Sequence, residues 1–197
     1  MLEDLKIIFY PDPRLKKMSE PVKVFDESLR ALASRMLELM REAKGVGLAA
    51  PQVGLNLRLF VMNPTGEPGN DRVYVNPVLS DGDGGEEEAE EGCLSLPGIH
   101  INVVRSKQMR MNAQDLDGNP IEESATGFIP RVWQHETDHL NGTMLTDRMG
   151  PVARMTHRRV LNELKEQYEA LNPPPPPPPP KPKPKPKPRT RREKRRP

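Results

Sequence analysis

A segment with two histidines four residues apart constrains this chain more than any other part of its sequence. The segment reads Gln-His-Glu-Thr-Asp-His at positions 134–139. Residues i and i+4 of an α-helix lie one turn apart on the same face, so His135 and His139 can bind one metal ion. Glu136 follows the first histidine directly, where it can act on a metal-bound water molecule. The motif supplies two protein ligands, and a third must come from elsewhere.

Cys93, the single cysteine of the chain, is the candidate third ligand. A lone cysteine is usually a small buried hydrophobic residue, and the histidine motif also has a plain interpretation as a helix with two surface histidines and a capping glutamate. Taken together, the two features favour a thiolate ligand beside two imidazoles, because cysteine and histidine both bind zinc or ferrous iron.

The C-terminal segment differs sharply in composition from the rest of the chain. Residues 173–197 are almost entirely proline, lysine and arginine, with ten basic residues and one acidic residue, so this segment carries +9 and the preceding body −7 of the net +2. We therefore predict a catalytic domain at 1–172 and a disordered, proline-rich basic tail at 173–197. Three interpretations of the tail stay open: no partner, contact with ribosomal RNA, or docking in a partner's groove.

Cysteine usage and hydropathy limit the compartment. One cysteine allows no intrachain disulfide, which suits a reducing compartment. The chain starts without an apolar run of the signal-peptide type, and it has no stretch of roughly 20 apolar residues. These features predict a cytoplasmic protein without a membrane partner, and no DNA partner is expected.

The pattern of apolar residues predicts an α+β fold, with mainly antiparallel sheets packed around a central helix that carries the H-E-x-x-H motif. An N-terminal helix, a C-terminal helix and the tail complete it. The predicted helices span 27–44, 129–140 and 151–171. Asp26 is the predicted N-cap of the first helix, and Gly45 is its predicted C-cap glycine. The apolar side of the last helix is predicted at Val152, Met155, Val160, Leu161, Leu164 and Tyr168.

Alternating or continuous apolar residues predict strands at 57–63, 72–79, 99–105 and 107–115. Leu5–Tyr10 is predicted to be a strand or an extended docking segment. Asp117-Gly118 is a predicted turn before another short strand. Residues 81–91, where glycine is followed by acidic residues, are predicted to form an exposed loop.

Three segments of the chain resemble the peptide deformylases, and the resemblance extends from about Leu5 to Glu169. The segments read Gly-Val-Gly-Leu-Ala-Ala-Pro-Gln at 45–52, Glu-Gly-Cys-Leu-Ser at 91–95, and Gln-His-Glu-Thr-Asp-His-Leu-Asn-Gly at 134–142. They match the family at its defining positions, in its order and at similar separations. The resemblance implies a hydrolase that removes the formyl group from the N-terminal formyl-methionine of new polypeptides.

The resemblance also implies a role for each residue of the metal site. Cys93, His135 and His139 would bind the metal, with water in the fourth position. Glu136 would be the general acid/base for attack by metal-bound hydroxide. The expected metal is ferrous iron, and zinc or nickel can occupy the same site.

Further residues are expected to bind the substrate. Gln52 and the backbone N–H of Leu94 would hold the formyl oxygen. The small residues of the first segment would let the backbone approach the substrate closely, and a pocket could hold the methionine side chain, although a core role explains the aliphatic residues as well. The predicted substrate-binding residues are Gly45, Val46, Gly47, Gly92 and Val132.

Four further residues need comment. Glu91 and Arg105 each have two interpretations, His100 departs from the family pattern, and His157 has no assigned role. Glu91 either accepts a hydrogen bond from a ligand histidine or ends a solvated acidic run. Arg105 either pairs with acids near the site or lies on the surface. His100 stands where many deformylases have arginine, which leaves one contact to the substrate backbone in doubt. His157 is predicted to be solvated.

Two rival functions remain at this level. An H-E-x-x-H metallopeptidase would need a third ligand after His139, where His157 is the one later histidine, and it leaves Cys93 unexplained. A non-enzymatic ribosome- or RNA-binding protein leaves all three segments unexplained.

Overall fold

The computed structural model describes residues 2–82 and 84–173. The predicted disorder and partners of the tail beyond Pro173 lie outside these residues. Within them the chain forms seven strands and four α-helices, which in chain order are α1 (Glu27–Glu42), β1 (Gly47–Ala49), β2 (Leu59–Met62), β3 (Arg72–Asp81), β4 (Glu86–Cys93), β5 (Leu96–Ser106), β6 (Gln108–Gln114), β7 (Pro120–Thr126), α2 (Phe128–Leu140), α3 (Pro151–Thr156) and α4 (Arg158–Leu171).

The strands form two antiparallel sheets. The larger sheet has five strands in the order β1-β2-β3-β6-β7, and β4 and β5 form a separate hairpin. Helix α2 contacts β1, β2, β3 and β7 on one side and β5 on the other. Its Trp133 is fully buried and meets the Tyr74 ring edge-on, with ring centroids 6.0 Å apart. The predicted α+β fold with a central H-E-x-x-H helix is therefore confirmed.

Helix α1 begins as its sequence predicts and ends differently. The Asp26 carboxylate accepts a hydrogen bond from the backbone N–H of Leu29 at 3.1 Å, as an N-cap does. At the other end, Lys44 takes the left-handed conformation, with φ of 56°. The N–H of Gly45 then donates to the Met40 carbonyl at 2.8 Å, which is the bond of a Schellman motif. The left-handed residue is therefore Lys44, and the prediction of Gly45 was wrong by one position.

The prediction of an exposed loop at 81–91 was wrong over most of its length, because β4 occupies residues 86–93. Glu86, Glu88 and Glu90 are exposed, while Glu91 is buried. Successive side chains of a strand point to opposite faces, so this strand turns one acidic face to solvent. The local composition resembles a loop because the other face carries an exposed Glu87, a half-buried Ala89 and the buried Glu91 instead of a row of large apolar residues.

The single helix predicted at 151–171 is interrupted at His157, which separates α3 from α4. The His157 Nε2 lies 3.0 Å from the carbonyl oxygen of His100 on β5, so the partly exposed His157 also contacts β5, which the prediction of a solvated side chain did not include. Leu161 and Leu164 are buried as predicted, whereas Val152 and Met155 are exposed. The break turns α3 away from the core.

The N-terminal segment is an extended docking piece, one of its two predicted forms. The N–H of Ile8 donates to the Gln52 carbonyl at 2.8 Å, and the N–H of Tyr10 donates to the Ser95 carbonyl at 3.0 Å. Both acceptors belong to the sequence segments that predicted the site. The docked N-terminus therefore supports the backbone next to these residues.

The described helices are each too short or too polar to cross a lipid bilayer.

Asn76 ties β3 to a segment far away in sequence. It lies at an irregularity of the β3–β6 pairing and has a positive φ of 51°, a conformation that asparagine tolerates better than most residues. Its side-chain oxygen accepts from the N–H of Val22 at 2.8 Å, and its Nδ2 donates to the Val22 carbonyl at 2.9 Å and to Gln114 at 2.8 Å. The side chain thus makes the hydrogen bonds that regular strand pairing does not provide at this irregularity.

We expect Asn76→Ala to lower the free energy of unfolding by about 3 kcal/mol, because three hydrogen bonds are lost and alanine disfavours a positive φ. Asn76→Gly is the matched variant: it loses the same bonds but accepts the backbone conformation, so its loss should be about 1 kcal/mol smaller. Chemical denaturation monitored by circular dichroism measures both. Wild-type stability in Asn76→Ala would contradict this account.

Candidate active site

The three predicted metal ligands come together from two elements. Cys93 ends β4, and His135 and His139 lie on α2, with their ligand atoms all within 4.8 Å of one another. The Cys93 Sγ is 3.3 Å from the Nε2 of His139. Because His135 and His139 are one turn apart, their rings stand side by side, with centroids 5.1 Å apart. The spacing of the motif and the turn after β4 together produce this cluster.

Glu91 holds one of the histidines in place. Its Oε2 lies 3.0 Å from the Nδ1 of His135, which leaves the Nε2 of that ring for a metal. Of the two interpretations of Glu91, the structure favours the acceptor, since the residue is buried and not part of a solvated run. A carboxylate partner of this kind fixes the ring orientation and tautomer of a metal-binding histidine.

Two arginines compensate the buried charge of Glu91. Arg105 donates to both carboxylate oxygens at 2.9 Å, and Arg131 donates to Oε1 at 2.8 Å. Burial alone would raise the pKa of Glu91, but the hydrogen bonds from Arg105 and His135 outweigh it and hold this pKa well below its usual range. Glu91 is therefore an anion, and Arg105 is a buried partner of the site instead of a surface residue.

Asp138 extends this network towards the surface. Its carboxylate accepts from Arg105 at 2.7 Å and from Arg148 at 2.6 Å. Asp138 lies on α2 between the two histidines, so the network joins the helix to β5 and to the segment before α3. Paired charges arranged in this way stabilise each other in a low-dielectric interior.

Glu136 faces the cluster from the same helix. It is buried, and its Oε2 has no hydrogen-bond partner among the described residues. Burial raises the pKa of Glu136 to about 7. A carboxyl group whose pKa lies near neutrality can both accept and donate a proton in one reaction cycle.

Gln52 reaches the cluster from the short helical turn after β1. Its Oε1 accepts from the backbone N–H of Ala49 at 2.9 Å, which turns Nε2 towards Ser95 Oγ at 3.2 Å and Cys93 Sγ at 3.6 Å. Gln52 is buried, and the hydrogen bonds fix which end of its amide faces the site. Leu94 follows Cys93 directly, so its backbone lies beside the same cluster.

A cavity of about 430 Å³ opens next to these residues. All five residues predicted to bind substrate line it, together with Gln52, Leu94 and Glu136; they are Gly45, Val46, Gly47, Gly92 and Val132. Their contacts with a substrate stay a prediction. His100 also lines the cavity, opposite Gly92 in the β4–β5 pairing.

Among the cavity residues that sequence reasoning missed, two lie on α2, Phe128 and Arg131. Arg131 lies four residues before His135 and Phe128 seven, so both project from the same face of α2. The helical spacing that led to the histidines would have led to these residues too. Phe128 is half exposed at the mouth of the cavity, whereas Arg131 is buried.

The glycines of the site make room for its own side chains. An added Cβ on Gly45 would lie 2.6 Å from Leu94 Cδ1, and one on Gly92 would lie 2.9 Å from the His100 ring. At Gly47 an added Cβ would overlap the Oε1 of Glu136 and lie 2.8 Å from its Cδ. The close approach predicted towards the substrate is therefore also a close approach to Leu94, His100 and Glu136.

The residues present fit a divalent metal ion. A thiolate and two imidazoles are a donor set that zinc, iron and nickel accept. The third residue of the cluster is Cys93, and His157 lies instead at the α3–α4 junction, against β5. The metallopeptidase interpretation, which required a ligand after His139, finds no such ligand in the cluster within the described chain.

The sequence places this arrangement in a known family. The family model described as polypeptide deformylase matches residues 4–155. The chain belongs to the polypeptide deformylase family. The family and the donor set together identify a metal-dependent deformylase, an enzyme that removes formyl groups.

Individual relatives agree with this assignment. A peptide deformylase of Rhodopirellula baltica is 45% identical over 168 residues, which cover 84% of this chain and 83% of the relative. One of Chromobacterium violaceum is 44% identical over 163 residues, covering 83% and 95% respectively. The crystal structure of a peptide deformylase from Legionella pneumophila has 43% identity and a TM-score of 0.77, and covers 83% of this chain and 96% of that one.

We expect Gly47→Ala to lower deformylation about 100-fold, because the new methyl group displaces the Glu136 carboxylate and small misplacements of a reacting group cost this much. Metal content should not change, since no ligand is touched. Gly150→Ala is the control, because a Cβ there meets nothing within 4 Å. Steady-state kinetics and metal analysis of both variants test this, and wild-type activity in Gly47→Ala would contradict the expected overlap.

Proposed function

We propose that this chain hydrolyses the formyl group from the N-terminal formyl-methionine of newly made polypeptides, at the cluster of Cys93, His135 and His139. The observation that carries the proposal is the position of Glu136 and Gln52 beside this cluster, in one cavity. A general acid/base, an amide donor and a three-residue metal site are the parts that hydrolysis of a small amide requires.

In this proposal, three protein ligands leave one coordination position for water. A catalytic metal site differs from a structural one in keeping such a position. When bound, the metal supplies Lewis acidity that lowers the pKa of water towards about 7. Glu91 keeps His135 turned towards the metal, so that the ligand geometry does not depend on the substrate.

Glu136 moves the protons of the reaction. It accepts one proton from the attacking water as the water oxygen bonds to the formyl carbon. It then delivers this proton to the departing amine as the bond between carbon and nitrogen breaks, which releases formate and a free N-terminus. A pKa of about 7 suits both steps at neutral pH, because burial makes the protonated and ionised forms similar in free energy.

Gln52 and Leu94 stabilise the negative charge that develops on the formyl oxygen. The Gln52 Nε2 is held towards the cluster by the bond from Ala49 to its carbonyl oxygen. The backbone N–H of Leu94 is the second proposed donor. Donors that are already oriented need no rearrangement when the charge develops.

The rest of the cavity accommodates the methionine end of the polypeptide. Val46 and Val132 provide apolar surface for its side chain, and Gly45, Gly47 and Gly92 let the backbone approach the substrate closely. An apolar pocket with a few directed polar groups is the usual form of a small-molecule site.

We propose ferrous iron as the native metal, with zinc or nickel as substitutes. Support comes from the donor set, one thiolate and two imidazoles, and from the resemblance to deformylases. We further propose that residues 1–172 are the catalytic domain, and that the protein works in the cytoplasm, where new polypeptides emerge.

Release of formate from a formyl-Met peptide tests the proposed reaction. Protein loaded anaerobically with iron, nickel or zinc should release formate and leave internal peptide bonds intact. Glu136→Gln should keep the metal but lose about 10²–10⁴-fold in kcat, because the proton carrier is gone. Cys93→Ala should lose the metal itself.

Glu38→Gln provides the matched control, since this exposed glutamate lies on α1 and its replacement should leave kcat unchanged. No formate from the iron-loaded wild type, or cleavage of internal peptide bonds in its place, would refute the proposed function.

The basic tail supports a proposal about the enzyme's partner. Ten positive charges in residues 173–197 would favour contact with ribosomal RNA. The full chain should then bind ribosomes in a salt-sensitive way, and a chain ending at Asn172 should not, while both release formate equally well. Equal ribosome binding by the two chains in a sedimentation assay would exclude this role.

A further inference from the structure

The metal site is assembled from two elements that are not continuous with each other. Cys93 and Glu91 belong to the β4–β5 hairpin, which is separate from the five-stranded sheet, whereas His135 and His139 belong to α2. The distance from the thiolate to the two imidazoles therefore depends on how the hairpin is held against the helix. A metal site needs its ligand distances fixed to within a few tenths of an ångström.

Arg131 makes this connection from the helix. It lies one turn before His135, and its side chain is buried. Its Nη1 donates to the Glu91 carboxylate at 2.8 Å and to the Val103 carbonyl at 2.9 Å, while its Nη2 donates to the Glu87 carbonyl at 2.7 Å. One side chain of α2 thus binds both strands of the hairpin.

In the part of the chain that the structure describes, the other hydrogen bonds between the hairpin and α2 do not reach the backbone of β4. Arg105 lies on β5, so its two bonds to Glu91 stay inside the hairpin, and it meets α2 through Asp138. Gln134 pairs with Ser106 at the far end of β5. Arg131 binds the backbone of β4 at Glu87, on the strand that ends in Cys93.

We propose that Arg131 is a positioning residue that sets the separation between Cys93 and the two histidines, and that it thereby controls how tightly and how long the metal is retained. The inference rests on the proposed function, since it concerns the same metal site. Arg131 acts through the backbone of β4 and through Glu91.

Only arginine has the geometry for these contacts. Its planar guanidinium presents several N–H groups in fixed directions, whereas lysine has the same charge on a single nitrogen. Lysine at this position can keep the charge next to Glu91 but cannot also reach the carbonyls of Val103 and Glu87 in their present directions. Glutamine keeps a donor and loses the charge.

The absorption spectrum of bound cobalt(II) reports the ligand geometry, because its ligand-field bands depend on the coordination of the ion. A thiolate ligand adds a charge-transfer band. Arg131→Lys and Arg131→Gln are compared with wild type after loading with cobalt. Arg159→Lys is the matched control, since Arg159 lies on α4 with its side chain 87% exposed. Metal release into excess chelator and thermal unfolding of the metal-free proteins complete the set.

We expect both Arg131 variants to release cobalt about 10- to 100-fold faster than wild type, as for other groups that orient metal ligands, with shifted ligand-field bands. The control should match wild type. Because Arg131→Lys preserves the buried charge, it decides the result if Arg131→Gln does not fold.

Two outcomes overturn the inference. Variants with a lowered unfolding temperature but wild-type spectrum and release rate would show that Arg131 serves only the stability of the fold. Variants that match wild type in every measurement would show that it has no role. The proposed function fails separately, if cobalt in the wild-type protein shows no charge-transfer band that disappears in Cys93→Ala.

Discussion

A single buried carboxylate, that of Glu91, holds the functional half of this molecule together. A carboxylate offers about four acceptor positions, and the four hydrogen bonds from Arg105, Arg131 and His135 fill them. A buried charge without partners would be very unfavourable. Glu91 can be buried because Arg105 on β5 and Arg131 and His135 on α2 pair with its carboxylate. If the hairpin and the helix moved apart, the Glu91 carboxylate would become exposed to solvent or would stay buried without its partners from α2.

The orientation of the reactive groups follows from this arrangement. Glu91 fixes the ring of His135, which places its second nitrogen beside the Cys93 sulfur. The glycines at 45, 47 and 92 then allow Leu94, Glu136 and His100 to pack closely around the cavity. Stability and chemistry share the same contacts here, because Glu91, which orients His135, is itself held by the two buried arginines.

The sequence was sufficient wherever the pattern is local. The structure contains three features that the sequence predicted. They are the N-cap at Asp26, the shared helix face of His135 and His139, and the place of the single cysteine, Cys93, beside these histidines. The sequence failed where a strand or a helix end depends on a distant partner that no sequence motif marks. Strand β4 resembles a loop until Arg105 and Arg131, 14 and 40 residues after Glu91, are seen to bind it. Lys44 takes the left-handed conformation that ends α1, while the next residue, Gly45, lies where a Cβ would overlap Leu94 from a distant strand end.

The docked N-terminal segment limits when this protein can complete its fold during synthesis. Ile8 binds Gln52, Tyr10 binds Ser95, and the N–H of Ser19 donates to the carbonyl of Leu140 at 2.8 Å. Residues of this segment must therefore wait for partners up to 121 positions later in the chain, and contacts of such long range form late in folding. The site cannot be complete until α2 has emerged. An enzyme proposed to act on newly made polypeptides is thus itself inactive until its own residues up to Leu140 have been made.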